Sequence, residues 1–131
     1  MALDVHLVTP EREVWTGEAT MVVARGVEGD VGVLQGHAPM LIALAIGPLF
    51  IHQGERVEGV AVDGGYLHVT SRGDGTRVDI LAEHAELESE IDVAEAERGR
   101  ADAEQQVAQG NAASRADLAR ALARIRVKGR S

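Results

Sequence analysis

Two hydrophobic periods divide the chain. In the first part apolar and polar residues alternate in short runs: Leu3, Val5 and Leu7 alternate with Asp4 and His6, the period of a half-buried strand over residues 3–9. Residues 10–12 make a turn, and 14–18 open a second strand with a bulge expected at Gly17 that continues through 20–25. A further strand is expected at 31–34. The long apolar run 38–51 is broken by Pro39, Gly47 and Pro48 and reads as strand, Gly-Pro turn and strand. Residues 53–56 form a hairpin turn between strands 49–52 and 57–62. Asp63-Gly64-Gly65 turns into a strand at 66–70, and Arg72-Gly73-Asp74-Gly75 closes a hairpin before 77–81. Short strands with turn signals every ~8–12 residues point to an antiparallel sandwich or barrel.

At about Ala82 the period changes. Leu87, Ile91, Ala94, Ala101 and Ala108 recur at helical spacing and predict one apolar stripe. Alanine buries little area, and at roughly 25 cal/mol per Å2 such a helix is held weakly. Gly99 weakens it by about 1 kcal/mol relative to alanine. Gly110-Asn111 ends this helix, Ser114-Arg115-Ala116-Asp117 resembles a capping box, and a second helix carries Leu118, Leu122 and Ile125 on one face. The division predicted is a β-sandwich over 1–84 and an antiparallel two-helix hairpin over 85–131.

Charge sharpens that picture. The net charge is −8 over 131 residues, which argues against general nucleic-acid binding. Within the hairpin the first arm is acidic and the second basic, carrying Arg115, Arg120, Arg124, Arg126, Lys128 and Arg130. Opposite charge favours pairing of the two arms, and the basic arm also suits an acidic partner. A weakly packed hairpin with that choice is a candidate moving, regulatory part.

Candidate chemistry is sparse. There is no cysteine, which removes disulfides and thiolate sites and fits a reducing compartment. The five histidines, at 6, 37, 52, 68 and 84, share no ligand spacing, so no metal site is expected. No nucleophile elbow or phosphate loop occurs, and neither a catalytic residue nor a cofactor is expected. No basic region followed by an apolar one opens the chain, and the run 38–51 is shorter than the about 20 residues a spanning helix needs. A soluble protein is expected.

The most heavily punctuated stretch is Gly29-Asp30-Val31-Gly32-Val33-Leu34-Gln35-Gly36-His37-Ala38-Pro39-Met40. Taken alone it is strand, tight turn and strand, a sandwich corner with His37 presented at its end. The run closely resembles the signature of the epsilon subunit of bacterial F-type ATP synthases (delta in mitochondria). Leu44-Ala45-Ile46-Gly47-Pro48-Leu49 is similar to that family's Leu-x-x-Gly-x-Leu step, and Val62-Asp63-Gly64-Gly65-Tyr66-Leu67-His68-Val69 to its Gly-Gly-Phe-Leu-x-Val strand. Residues 85–96 resemble its junction into the helices, so the match runs nearly the full length in order.

The resemblance implies an N-terminal β-sandwich followed by a two-helix hairpin. It implies a non-catalytic rotor subunit of the central stalk that couples rotation of gamma and the c ring to ATP synthesis. The expected partners are the gamma subunit, the ring of c subunits and, through the hairpin, the alpha and beta catalytic subunits. The expected location is peripheral, on the cytoplasmic face of the bacterial cell membrane. Asp30, Gly36, His37 and Pro39 fall where the family contacts the c ring and gamma, Asp30 and His37 on one face. In some members the hairpin also inhibits ATP hydrolysis, a role that would fall to Arg115, Arg120, Arg124 and Arg126.

Two departures stand out. Gln35 replaces the usual proline before Gly36, which predicts a looser turn. Some members contact ATP through Ile/Leu-Asp-x-x-Arg-Ala, where this chain has Ile91-Asp92-Val93-Ala94-Glu95-Ala96. Ile91, Asp92 and Ala96 match, but Glu95 puts a carboxylate in place of a phosphate-pairing cation, so ATP binding is expected to be weak or lacking. Without the resemblance the pattern reads as an all-β adaptor with a helical tail, with a small barrel enzyme as the next alternative.

Overall fold

The computed structural model describes residues 2–129. Seven strands follow one another, β1 (Leu3–Val8), β2 (Glu13–Ala19), β3 (Met21–Gly26), β4 (Gly29–Leu34), β5 (Met40–Gln53), β6 (Arg56–Arg72) and β7 (Gly75–Leu87). They form one sheet in the order β2-β1-β7-β6-β5-β3-β4. Every pairing is antiparallel except that of β1 with β7. All seven strands contribute to a single core, with Leu3, Val5, Val22, Val33, Leu49, Leu67 and Ile80 at or near zero exposure. The two sheets expected of a sandwich are thus the halves of one sheet folded over its own apolar face.

The fold line is written in side-chain parity. Successive strand residues point to opposite faces, so one strand's core residues should keep one parity. On β6 the core receives Val60 and Val62, then Leu67 and Val69; on β5 Leu44, then Leu49 and Ile51; on β7 Val78, Ile80 and Ala82, then Ala85. Parity flips at the same height in three neighbouring strands, whose pairing registers hold on both sides. Gly64 and Gly65, both at positive φ, make the flip on β6. A Cβ on Gly65 would collide with the Leu81 carbonyl oxygen, so only glycine fits the close approach.

This corner revises two expected turns. Gly47-Pro48 and Asp63-Gly64-Gly65 lie inside the continuous strands β5 and β6. Pro48 is tolerated because the β3–β5 pairing is irregular there: Ala24 pairs with Leu49 and Gly26 with Leu44. A residue without an N–H suits such a bulge. The expected strand 14–25 is two strands, parted at Thr20, whose N–H and hydroxyl both donate to the His52 carbonyl at 2.7 and 3.0 Å. Gly17 is no bulge, since it pairs regularly with Val5; it leaves room for the Trp15 indole, 3.0 Å from where its Cβ would stand.

β7 runs on through Leu87, and a single 3-10 turn, Glu88–Glu90, leads to α1 (Val93–Ala108) and α2 (Ser114–Gly129). Asp92 caps α1 by accepting from the Glu95 N–H at 3.1 Å. α2 lies on the outer surface of β5 and β6, and α1 packs on α2. The buried faces differ from the expected stripes. Ala96 and Ala103 are buried on α1 and Ala121, Ala123 and Val127 on α2, whereas Ala94, Ala101 and Ala108 are exposed. Leu122 is 46% exposed. Small residues win the contact because α2 sits close to the sheet: the Val127 Cγ1 lies 2.8 Å from where a Cβ on Gly59 would stand.

Candidate functional site

Three regions of the surface carry features that could serve a partner or ligand. The first is the edge formed by β4 and the loop into β5, which holds the glycine-punctuated stretch. Asp30 lies beside the β3–β4 turn, its carboxylate 3.5 Å from the Arg25 Nε, both exposed. His37 follows the opposite end of β4; its N–H donates to the Leu34 carbonyl at 3.1 Å, and its Nδ1 lies 2.8 Å from the Ala38 carbonyl. A carbonyl only accepts, so Nδ1 is the donor there. At about 3.3 Å per residue, most of β4 separates the two side chains, so Asp30 and His37 mark two ends of one exposed edge rather than one spot. Pro39 is exposed beyond His37 and leads the chain into β5.

The loop is tied down, contrary to the looseness expected of Gln35. The Gln35 amide donates to the Asp74 carbonyl at 2.9 Å, and the Gly36 N–H donates to the hydroxyl of buried Thr76 at 2.8 Å. Gly36 has φ of +87°, which glycine adopts without strain. Both bonds reach the β6–β7 hairpin, a partner 39 or 40 residues away, and nothing local in the sequence announces it.

The second region is a cleft of about 520 Å3 between the sheet corner, α1 and α2. Ala96, Gly99 and Ala103 on one side and Ala121 on the other give it small-residue walls, and Ile46 and Ala61 form part of its floor. Charged groups ring it. Arg124 reaches from α2 to Glu86 on β7, Nε to Oε1 at 2.8 Å, and to Glu95 on α1, Nη2 to Oε1 at 3.0 Å. Arg120 holds Asp63 on β6 at 2.6 Å and its own helix's Asp117 at 3.0 Å. Burial pulls the Arg124 guanidinium down, and Glu86 and then Glu95 more than offset it, leaving its pKa above the ordinary value. The Asp63 hydrogen bond does most to raise that of Arg120.

Of the four arginines expected to contact a partner, Arg120 and Arg124 therefore face the protein's own sheet. Arg126 lies over the Phe50 ring at 5.7 Å, a cation–π distance, and Arg115 is exposed. The expected pairing of acidic arm with basic arm holds for Glu95 and Arg124; Arg100 instead pairs along its own helix with Glu97. The cleft partner that sequence reasoning missed is Asp63, 57 residues before Arg120. Glu86, which the charge pattern counts with the acidic arm, does pair with Arg124 38 residues on, but from β7 rather than from a helix. The nucleotide-motif positions have structural work: Ile91 is buried with Ala61, Ala123 and Val127, Asp92 caps α1, and Ala96 is buried. Glu95 directs its carboxylate to Arg124, where the resemblance would have an arginine.

The third region escaped the sequence reading. On the uncovered outer surface of the sheet, Tyr66 pairs with Ala43 on β5 and Leu81 on β7, and Leu81 with Val8 on β1. Leu41, Tyr66 and Leu81 are 66%, 54% and 52% exposed. Alongside runs a polar network: His6 bonds Asp4 at 2.9 Å and Thr16 at 3.0 Å, and Arg77 bonds Asp79 at 2.9 Å. An apolar row with a polar border is a docking surface in kind. Among the described residues no cluster of three metal-ligating side chains occurs, and no helix is long and apolar enough to cross a membrane.

Comparison with known proteins identifies the type of chain that carries these surfaces. Residues 2–109 match the family model described as ATP synthase, Delta/Epsilon chain, beta-sandwich domain. The chain is 48% identical over 127 residues to the ATP synthase epsilon chain of Thermobifida fusca, covering 95% of this chain and 90% of that one. To the ATP synthase epsilon chain of Streptomyces coelicolor it is 46% identical over 101 residues, covering 75% and 78%. In fold it is similar to a chain of the Euglena gracilis mitochondrial ATP synthase in a structure of OSCP, F1 and c-ring, with a TM-score of 0.73 at 22% identity, covering 98% of this chain and 78% of that one. A chain from the central stalk and c-ring of the Tetrahymena thermophila mitochondrial ATP synthase gives 0.53 at 19% identity, covering 67% and 68%. The chain belongs to the ATP synthase delta/epsilon chain family and is a non-catalytic subunit of that synthase.

Proposed function

We propose that the chain is a rotor subunit of the central stalk, peripheral on the cytoplasmic face of the membrane, that couples rotation of gamma and the c ring to ATP synthesis. The observation that carries this reading is the division of the sheet's outer surface. One half is covered by α2, and the other presents the apolar row Leu41, Tyr66 and Leu81, which suits a permanent partner such as gamma. The edge of β4, with Asp30 and His37 along one exposed side and Gly36 and Pro39 in the loop beyond, suits the polar loops of the c ring. Its turn is rigid through Gln35 and Thr76, so it can bear load without refolding.

Assembly tests the reading. Tyr66→Asp together with Leu81→Asp should abolish co-purification of the chain with gamma. Asp30→Ala with His37→Ala should leave gamma bound, weaken retention of the c ring and lower proton-coupled ATP synthesis. Unchanged assembly and coupling in both double variants would overturn it.

A further inference from the structure

The hairpin's attachment to the sheet is poor in apolar contact and rich in charge. The apolar cluster beneath α2 consists of Ala61, Ile91, Ala123 and Val127, two of them alanines. Around the cleft, in contrast, every connection of α2 to a neighbouring element that involves Arg120 or Arg124 is ionic: Asp63 on β6, Glu86 on β7 and Glu95 on α1. The side chains of Arg124, Glu86 and Asp63 are 19%, 23% and 23% exposed, those of Arg120 and Glu95 45% and 61%. The Glu86–Arg124 pair therefore feels more of its mutual field than a surface pair does. The Asp63–Arg120 and Arg124–Glu95 pairs are open to solvent on one side, and all of them border a wet cleft through which salt can enter. Asp102, Asp117 and His84 also line it, so carboxylates outnumber the two guanidiniums and each arginine has more than one anion within its reach.

We infer that these pairs, Asp63–Arg120 and Glu86–Arg124–Glu95, are an ionic clamp that fastens the helical hairpin to the sheet and opens with ionic strength. The carboxylate of Glu95 closes the clamp from the α1 side, so the closed state needs no bound anion to neutralise Arg124. The clamp also sets a condition on α2 as a binding element. Arg120 and Arg124 reach an acidic partner surface only by leaving Asp63 and Glu86, and the partner must outcompete these carboxylates. That consequence rests on the reading of the chain as a synthase subunit whose hairpin meets other subunits; the clamp itself does not.

Hydrogen exchange of the full 131-residue chain, read by mass spectrometry, tests it without any other subunit. Raising NaCl from about 0.01 to about 1 M shortens the Debye length from about 30 to about 3 Å. Exchange over residues 93–129 should then quicken about tenfold, while β1, β6 and β7 stay protected. Arg124→Gln should give the fast exchange already at low salt and flatten the salt dependence. Asp63→Asn should do the same through Arg120, and Arg115→Gln should change neither. If Arg124→Gln loosens the sheet as well, the near-isosteric Asp63→Asn decides. Hairpin exchange that is equal or slower at high salt, as apolar attachment predicts, would sink the clamp, and so would unaltered exchange in Asp63→Asn. Loss of the clamp would leave the rotor reading standing, and failure of co-purification with gamma would leave the clamp standing.

Discussion

The main core and the contact beneath α2 are two solutions to holding chain together. The core draws Leu, Ile and Val from all seven strands and buries them almost completely. The hairpin contact draws on Ala61, Ile91, Ala123 and Val127 and surrounds them with ion pairs. Apolar burial is insensitive to screening and scales with area; ion pairs at a wet cleft are screened and individually small. On the clamp proposed above, one chain would carry a rigid body and an arm whose hold on it responds to ionic strength.

The largest effect should come from the rigid body. Ile80 is fully buried on β7, and Ile80→Ala should destabilise the sheet by about 3–4 kcal/mol through lost burial and a residual cavity. Urea unfolding followed by the Trp15 fluorescence measures it. A loss below about 1 kcal/mol would mean that the core is far more plastic than its burial implies.

A smaller effect should appear at the joint between the two regions. Gly59→Ala introduces a methyl group 2.8 Å from the Val127 Cγ1 and 3.2 Å from a Glu88 carboxylate oxygen, and overpacking of this kind costs about 1–2 kcal/mol. The cost falls on the hairpin, because α2 can lift while the strand stays paired. Limited proteolysis between α1 and α2 should quicken with the urea midpoint of the sheet unchanged. A lowered midpoint with no change at the hairpin would invert the comparison.

The same division governs what was legible in the sequence. Alternation in 3–7 and in 66–70 revealed strands, because period-two burial is a local property. The corner was misread, because Gly-Pro and Gly-Gly signal a turn and a bulge alike, and only the partner strands distinguish them. A clue lay in the chain itself: apolar parity changes from Val60 and Val62 to Leu67 and Val69 across Gly64-Gly65, which a reversal would not require. On α1 the sequence offered two alanine series at sevenfold spacing, Ala94, Ala101, Ala108 and Ala96, Ala103. Nothing local chooses between them. The choice is made by contacts outside the helix, which bury Ala96 and Ala103 while Ala94, Ala101 and Ala108 stay exposed. The site residues divide in the same way. Asp30, Gly36 and His37 were visible as a punctuated stretch, whereas Asp63, which holds Arg120, comes from a strand far back in the chain.

The smallest effect concerns the root of the hairpin, where rigid body and arm meet. Arg12, in the loop between β1 and β2, donates to the Glu90 carboxylate at 2.7 Å, and the Leu87 N–H donates to the same oxygen at 2.9 Å. The Arg12 bond first, and the Leu87 bond second, hold the Glu90 carboxyl below its ordinary value of 4.5. A carboxyl with a depressed folded pKa contributes stability that is present above the unfolded value and lost as pH falls through the folded one. Acidification below about pH 4.5 should therefore loosen the 88–90 turn progressively, and Glu90→Gln should remove that component while retaining a side-chain oxygen for the Leu87 N–H. Both partners are well exposed, 44% and 38% at the side chain, so solvent screening keeps the effect small, as for surface pairs in general. Thermal melts at pH 7 and pH 3.5 measure it: the gap between wild type and Glu90→Gln should narrow at the lower pH. A gap that stays constant would assign the role of Glu90 to its shape alone, and the root would then belong to the rigid body rather than to the adjustable arm.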